Sequence, residues 1–545
     1  MGKVYLVNYH IEILKQIKFN EMKRVLFLLI IIISTSCNTS KNVKDKNKTT
    51  TKNTTPNIIY ILADDLGYGD IKSFNPESKI PTINLDNMAS NGVMFTDAHT
   101  SSAVCTPTRY GILTGRYNWR SSLKKGVLGG YSKSLITPNR TTVADVLKTQ
   151  GYTTAYIGKW HMGWDWTFKG EQKETINNLH AIQDVDYTKP IKNGPSTHGF
   201  DYSFGFCGSL DMPPYVYVEN DMPTMVPTKT TQNKDSKGMW RKGPTSDDFV
   251  HQTVLQDLTD RAINYIGDNA SGDKPFFLYL PLPAPHTPIL PSDEFLGKSK
   301  TNEYGDFVMQ VDDVVGQIRK KLKAMGISEN TLLVFTSDNG CSPKADFKEL
   351  EKFNHDPSYV FRGMKADLYE GGHHVPFIVE WPNHALKNIS TDKTIGTTDF
   401  FATCADIAGY KIKDTEGEDS YSMLPLLTNK ETKEIRESIV YHSINGSFSI
   451  KQGDWKLCLA QGSAGWSYPK PQEIRKKKLD LPAMQLFNIK NDISETKNLI
   501  ASNPKKAAEL KAILKKIILD GRSSEGAIQT NEGMKGWKQI EDIVD

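Results

Sequence analysis

NIIYILADD, residues 57–65, decides the fold class. From Asn57 to Ala63 the run is nearly continuous in apolar, β-favouring side chains. It is too short for an ordinary helix and lacks the alternation of a strand with one wet face, so it reads as a strand buried on both sides in a parallel sheet. Asp64 and Asp65 then arrive at its carboxyl end, where open α/β sheets bind their ligands. The pattern recurs outward. Thr142 caps a predicted helix through Val146 and Leu147 that Gly151 ends, and 152–157 is the next strand, delivering Gly158-Lys159-Trp160-His161. A predicted helix over 253–266 precedes a strand at 276–280. Another over 307–325, with Val308, Val311, Val315 and Ile318 at helical spacing, precedes 332–335 and Ser337-Asp338-Asn339. A further strand is expected at 375–379. Helices between strands predict an α/β, doubly wound, mainly parallel sheet. Beyond a last helix at 399–409, short strands at 439–442, 448–450, 455–457 and 486–489 and a helix at 505–518 predict a smaller antiparallel C-terminal domain.

The 545 residues suit a large domain plus a small one, and 38% hydrophobic with 24% charged residues is a globular composition. A formal net charge of +4, without finger spacing or RNA-binding aromatics, argues against a nucleic-acid partner. Near the start, Met22-Lys23-Arg24 precedes an apolar run at 25–33 and then Ser34-Thr35-Ser36-Cys37. That run is shorter than the roughly 18 residues a membrane span needs. It has the layout of an export signal beginning at Met22. Cysteine after small residues resembles a lipoprotein cleavage site, although Ser34 stands where Leu is usual. The expectation is a protein lipid-anchored through Cys37 in the periplasm or outer membrane. The expected organisation is a signal at 1–37, a polar tether at 38–55, a catalytic domain at 56–425, a small domain at 426–520 and a polar, mobile tail at 521–545. The six cysteines form no CxxC pair, which disfavours structural zinc; a disulfide among Cys207, Cys341, Cys404 and Cys458 is permitted.

Adjacent carboxylates after a buried strand are costly unless a cation compensates them; the plain alternative is a solvated turn. Asp338 and Asn339 repeat the arrangement at another strand end. Two oxygen-ligand pairs without histidine or thiolate suit one hard cation such as calcium. In Ala103-Val104-Cys105-Thr106-Pro107-Thr108-Arg109, Pro107 suits a helical first turn whose amides face an anion. Arg109 falls one turn after Cys105, and Gly115 can end the helix. Read alone, Cys105 could equally be a buried cysteine near a helix start.

Cys105-x-Pro107-x-Arg109 with Leu113-Thr114-Gly115 resembles the first signature of the formylglycine-dependent sulfatases. Gly151-Tyr152-Thr153-Thr154 running into Gly158-Lys159-Trp160-His161 resembles the second. The resemblance spans about 57–519 and implies the alkaline-phosphatase-like fold. It implies that a maturation enzyme converts Cys105 to formylglycine (3-oxoalanine). Asp64, Asp65, Asp338 and Asn339 would bind one calcium together with residue 105. Arg109 and Lys159 would hold the nucleophile and sulfate, His161 would act as base in the second half-reaction, and His286 and Lys365 would grip sulfate and assist the leaving oxygen. Taken without the resemblance, His286 is a loop histidine and Lys365 a surface lysine. Thr108 departs from the usual Ser, adding a β-branch that could slow conversion. The implied activity is removal of sulfate from sulfated carbohydrate, with algal polysaccharide fragments the expected substrates. Tyr202, Tyr215, Tyr217 and Trp240 are candidate sugar platforms or a loop core. The competing readings are a phosphomonoesterase or phosphodiesterase of the same fold, which would need more histidine ligands, and an inactive surface glycan-binding protein.

Overall fold

The strand Asn57–Ala63 lies wholly buried. Its side chains alternate between two core layers: Ile59, Ile61 and Ala63 on one face, Ile58, Tyr60 and Leu62 on the other. This is a computed structural model, describing residues 55–170, 182–428 and 433–544. The expected export signal, Cys37 and the tether before Thr55 lie outside the described residues. The strand sits centrally in a ten-stranded sheet ordered Ile389–Thr391, Val93–Phe95, Phe377–Glu380, Thr331–Ser337, Asn57–Ala63, Phe276–Pro281, Thr153–Lys159, Tyr202–Phe206, Val218–Glu219 and Met222–Pro223. The central pairings are parallel. On one side Phe377–Glu380 runs antiparallel to both of its neighbours and Ile389–Thr391 adds a parallel edge strand; antiparallel pairs close the other edge. Val254–Asn269 and Glu303–Ala324 cover one face; Cys105–Thr114, Val143–Thr149 and Asp399–Ile407 cover the other. The sheet is thus doubly wound.

Local chemistry sets the helix starts. The Thr142 side chain accepts from the Asp145 N–H at 3.2 Å, and the Thr142 N–H donates to Asp145 Oδ2 at 2.9 Å. Asn302 caps the long helix by accepting from the amides of Tyr304 and Gly305. The helix therefore begins at Glu303, a polar turn ahead of the apolar stripe that marks it in sequence.

The smaller sheet is antiparallel: Ile439–His442, Phe448–Gln452, Trp455–Cys458 and Gln485–Asn488. The helix Pro504–Leu519 packs on it through Leu510, Leu514 and Ile518. The expected polar tail is corrected here. Trp537, Ile540 and Ile543 are buried in the same core, Trp537 lies 5.8 Å from Trp119 ring to ring, and Lys124 Nζ stands 3.9 Å above the Trp537 ring. Three apolar side chains scattered among polar ones set no periodicity, so sequence composition alone reads as unstructured. Cys105, Cys207, Cys341, Cys404 and Cys458 are all buried and free, so no disulfide joins the described cysteines. Among the described residues no helix is long and apolar enough to cross a membrane.

Candidate active site

Parallel register builds the site. Ala63 pairs with Ser337, so the next residues, Asp64 and Asp338, leave the sheet side by side. The Asp338 amide donates to the Ala63 carbonyl at 3.0 Å, and the Asp65 amide approaches Asp338 Oδ1 at 3.3 Å. Lys159 ends the strand Thr153–Lys159 on the other side of Phe276–Pro281, and its ammonium binds Asp64 Oδ2. Cys105 is the first residue of its helix, and Gly115 ends that helix in the left-handed region at φ 61°. One turn along, Arg109 donates to Asp338 Oδ2 through Nε at 3.0 Å and Nη2 at 2.8 Å, to the Lys159 carbonyl at 2.8 Å, and meets Asp64 Oδ2 at 3.2 Å. The Cys105 sulfur falls within 4.8 Å of ligand oxygens of Asp64 and Asp338.

Three loops complete the cluster. Lys365 Nζ binds Asp65 Oδ1 at 2.5 Å; its backbone N–H donates to the Cys341 carbonyl, and the next N–H, of Ala366, donates to Ala103. These bonds tie the lysine loop to the loops carrying Asp338 and Cys105. His286 Nδ1 sits 2.5 Å from the Thr287 carbonyl, which gives that nitrogen the proton, and Nε2 lies 3.6 Å from Asp65 Oδ2. His161 Nε2 sits 2.8 Å from the Leu128 carbonyl, so its bare lone pair is on Nδ1, which is buried without a partner. Asp65 and His161 both hold left-handed backbones, at φ 64° and 55°. Such conformations cost about 1–3 kcal/mol and persist where surrounding bonds impose them. Beneath Asp65 the Tyr304 hydroxyl contacts its carbonyl at 3.2 Å and donates to Asp70, which His355 also holds at 2.9 Å.

All the residues named from sequence thus meet in one buried cluster: Asp64, Asp65, Cys105, Arg109, Lys159, His161, His286, Asp338, Asn339 and Lys365. Three carboxylates face Arg109, Lys159 and Lys365, which leaves no negative surplus for a cation. Even so, Asp64 Oδ1, Asp65 Oδ2 and Asn339 Oδ1 are buried without hydrogen-bond partners. Three open oxygens from the four expected ligand residues fit a hard cation. Burial, then the neighbouring Asp64 carboxylate, raise Asp338 above the usual carboxylate range. Burial also raises the Cys105 thiol, against the pull of Lys159 and Lys365. For Lys365 burial is the largest single influence and opposes the charge, but Asp65, Cys105, Asp64 and Asp338 together outweigh it and hold the ammonium above its usual range. Burial, then Lys159 and Arg109, push His161 far below the usual histidine range. It is therefore a neutral base. The Thr108 hydroxyl donates to the Ser102 carbonyl at 2.9 Å.

Of the four aromatic candidates, Tyr215 and Tyr217 are buried around Phe249, and Tyr202 stacks on Tyr265. Tyr215 and Tyr217 form a core under the insertion, whereas Tyr202 packs a strand against the helix Val254–Asn269. Trp240 is half-buried and stacks on His251 at 4.1 Å. Sequence reasoning passed over Ser209, Asp211 and Arg241 in the same insertion. Ser209 Oγ lies 3.3 Å from His286 Nδ1, which brings this segment to the site.

The family model described as Sulfatase matches residues 56–410, and that of the N-sulphoglucosamine sulphohydrolase C-terminal region matches 364–458. The chain is 30% identical to the N-acetylgalactosamine-6-O-sulfatase of Bacteroides thetaiotaomicron, over 89% of this chain and 97% of that protein. It is 29% identical to mouse N-acetylgalactosamine-6-sulfatase, over 75% and 73%. Among solved structures, a B. thetaiotaomicron 6S-sulfatase from a locus for metabolism of multiple glycosaminoglycans superposes with a TM-score of 0.73 at 29% identity, covering 85% of this chain and 99% of that one. The phosphonate monoester hydrolase of Agrobacterium radiobacter shares the fold, with a TM-score of 0.54 at 18% identity over 85% and 95%.

Proposed function

The chain belongs to the sulfatase family and is a sulfatase; from that premise we propose that it removes 6-O-sulfate from amino-sugar residues of sulfated glycans, with a converted Cys105 and one calcium ion. The observation that carries the mechanism is the set of open, buried oxygens on Asp64, Asp65 and Asn339 beside Asp338 and Cys105. The substrate reading is supported by similarity along nearly the whole length of a protein named for N-acetylgalactosamine 6-O-sulfate.

Asp64, Asp65, Asp338, Asn339 and residue 105 would hold the calcium, which supplies Lewis-acid polarisation of sulfate oxygens. Formylglycine at 105 supplies, as its hydrate, two hydroxyls on one carbon, one for attack on sulfur and one whose proton is lost to release sulfate. The remaining work falls to this chain's side chains. Arg109, fixed by Asp338 and Asp64, orients residue 105 and the anion. Lys159 and Lys365 bring positive charge to the non-bridging oxygens from two sides, in a site where water cannot screen it. His286 and Lys365 are at 8% and 5% exposure, more open than the rest of the cluster. The leaving alcohol would lie on that side, where the Lys365 ammonium stabilises the charge developing on the leaving oxygen. His161 Nδ1 takes the second proton from residue 105, its ring aimed by the Leu128 carbonyl.

Conversion of Cys105 requires a maturation enzyme as partner. Export and a lipid anchor at Cys37 rest on the signal-like sequence at 22–37, and N-terminal mass analysis of protein from the native host tests them. The central test couples Cys105 conversion to turnover. Batches made with and without a formylglycine-generating enzyme are quantified by peptide mass spectrometry, then assayed on N-acetylgalactosamine 6-sulfate, sulfated algal oligosaccharides, an aryl sulfate and an aryl phosphate. Sulfate release should track the converted fraction, and Cys105→Ser should remain folded without turnover. Equal activity in converted and unconverted protein defeats the mechanism, and faster aryl phosphate turnover defeats the sulfate-ester reading.

A further inference from the structure

The wall beside His286 carries polar groups that this chemistry leaves unused. Ser209 Oγ contacts His286, and the turn after it, closed by the Met212 N–H to the Ser209 carbonyl at 2.9 Å, sets Asp211 next to the histidine. Asp211 is buried, and its Oδ2 binds Arg241 Nη1 at 2.5 Å. The same Nη1 donates to the Asp211 carbonyl at 3.0 Å, the Arg241 backbone N–H donates there at 3.2 Å, and the Tyr215 hydroxyl holds the Arg241 carbonyl at 2.7 Å. The pair is therefore a rigid unit rather than two swinging side chains. Rigid as it is, one acceptor and one donor stay open: Asp211 Oδ1 and Arg241 Nε are both buried and without partners. Burying such atoms unsatisfied is unfavourable, so they call for a ligand. Trp240, adjoining Arg241, stacks on His251. An open acceptor and donor on one rigid unit match two neighbouring hydroxyls of a sugar, one giving its proton and one offering its oxygen.

We propose that Asp211 and Arg241 form a sugar-reading pair: Asp211 Oδ1 accepts a hydrogen bond from a hydroxyl of the ring that bears the sulfate, and Arg241 Nε donates to the adjacent hydroxyl oxygen. This rests on the reading of the His286 neighbourhood as a sulfate-ester site. The pair selects glycan sulfates over sulfates that lack neighbouring hydroxyls, and it does so through binding rather than bond cleavage.

The test compares converted wild type, Asp211→Asn and Arg241→Lys on two substrates. One is 4-nitrophenyl sulfate. The other is whichever of N-acetylgalactosamine, N-acetylglucosamine or galactose 6-sulfate the wild type turns over fastest. Asp211→Asn preserves volume but removes the charged acceptor, and Arg241→Lys keeps the charge but loses the Nε donor; melting temperatures report folding of each. A hydrogen bond to a charged group corresponds to about a 10- to 100-fold effect. The ratio of sugar to aryl kcat/KM should fall by that factor in either folded variant, through KM. An unchanged ratio, or losses of equal size on both substrates, overturns the pair. Converted wild type that releases sulfate from neither substrate overturns the sulfate-ester reading, and this inference with it.

Discussion

Asp338→Asn isolates the metal reading from the nucleophile. Asp338 Oδ2 takes two bonds from Arg109, at 3.0 and 2.8 Å, while Oδ1 meets the Asp65 amide at 3.3 Å. An amide cannot serve both: whichever way it turns, an NH₂ group faces a donor. Arg109 keeps Asp64 at 3.2 Å, so the arginine is not stranded and the fold should survive. The carboxylate count falls from three to two, and a hard cation depends on ligand charge. We expect calcium affinity to fall at least ~100-fold, or about 2.7 kcal/mol. Chelator-stripped protein is titrated with calcium while its melting is followed. At 100 times its dissociation constant the wild type gains about 2.7 kcal/mol, whereas the variant at the same concentration sits near its own constant and gains about 0.4 kcal/mol. Elemental analysis should find one calcium per wild-type chain and far less in the variant. Equal calcium-induced shifts in the two proteins, or a wild type indifferent to calcium, would refute the assignment.

Trp537→Ala tests the packed C-terminal segment: removing a buried indole beside Trp119 and Phe448 should cost about 3–5 kcal/mol by urea unfolding, and a free tail would give no loss. Acid should weaken the fold. Burial pushes His251 and His442 down to about 4, while the unfolded chain binds those protons near 6.5. The folded state therefore binds fewer protons as pH falls from 6.5 to 4, and stability drops over that window by up to about 3 kcal/mol for each histidine. Urea midpoints at pH 7.5 and 5.0 check this, and a midpoint unchanged at pH 5.0 contradicts it.

What could be read from sequence, and what could not, divides along the distance over which the information is held. Asp64 and Asp65 are legible because the apolar run before them can only be a buried strand, and a strand fixes where the following side chains emerge. Arg109 is legible because one helical turn separates it from Cys105. In both cases the constraint is local, and the parallel register of Ala63 with Ser337 then brings Asp338 alongside without further information. Lys365 is different. Nothing local marks it, and only the resemblance singled it out; its place is set by bonds from its loop to Cys341 and Ala103, remote in the chain.

Asp211 and Arg241 lie 30 residues apart, joined through a hairpin, Lys229–Asn233 with Trp240–Thr245, whose register shifts between Thr231 and Asn233. That irregularity gives no periodic signal, and each residue alone reads as an ordinary surface charge. The four aromatics drew attention instead, yet Tyr215 and Tyr217 build the core that carries this pair. The sulfate end of the site is written in strand ends and one helix start, so any chain with this sheet displays it in its sequence. The sugar end is written in tertiary contacts of an insertion, where one family can change its substrate without disturbing the strands that hold the chemistry.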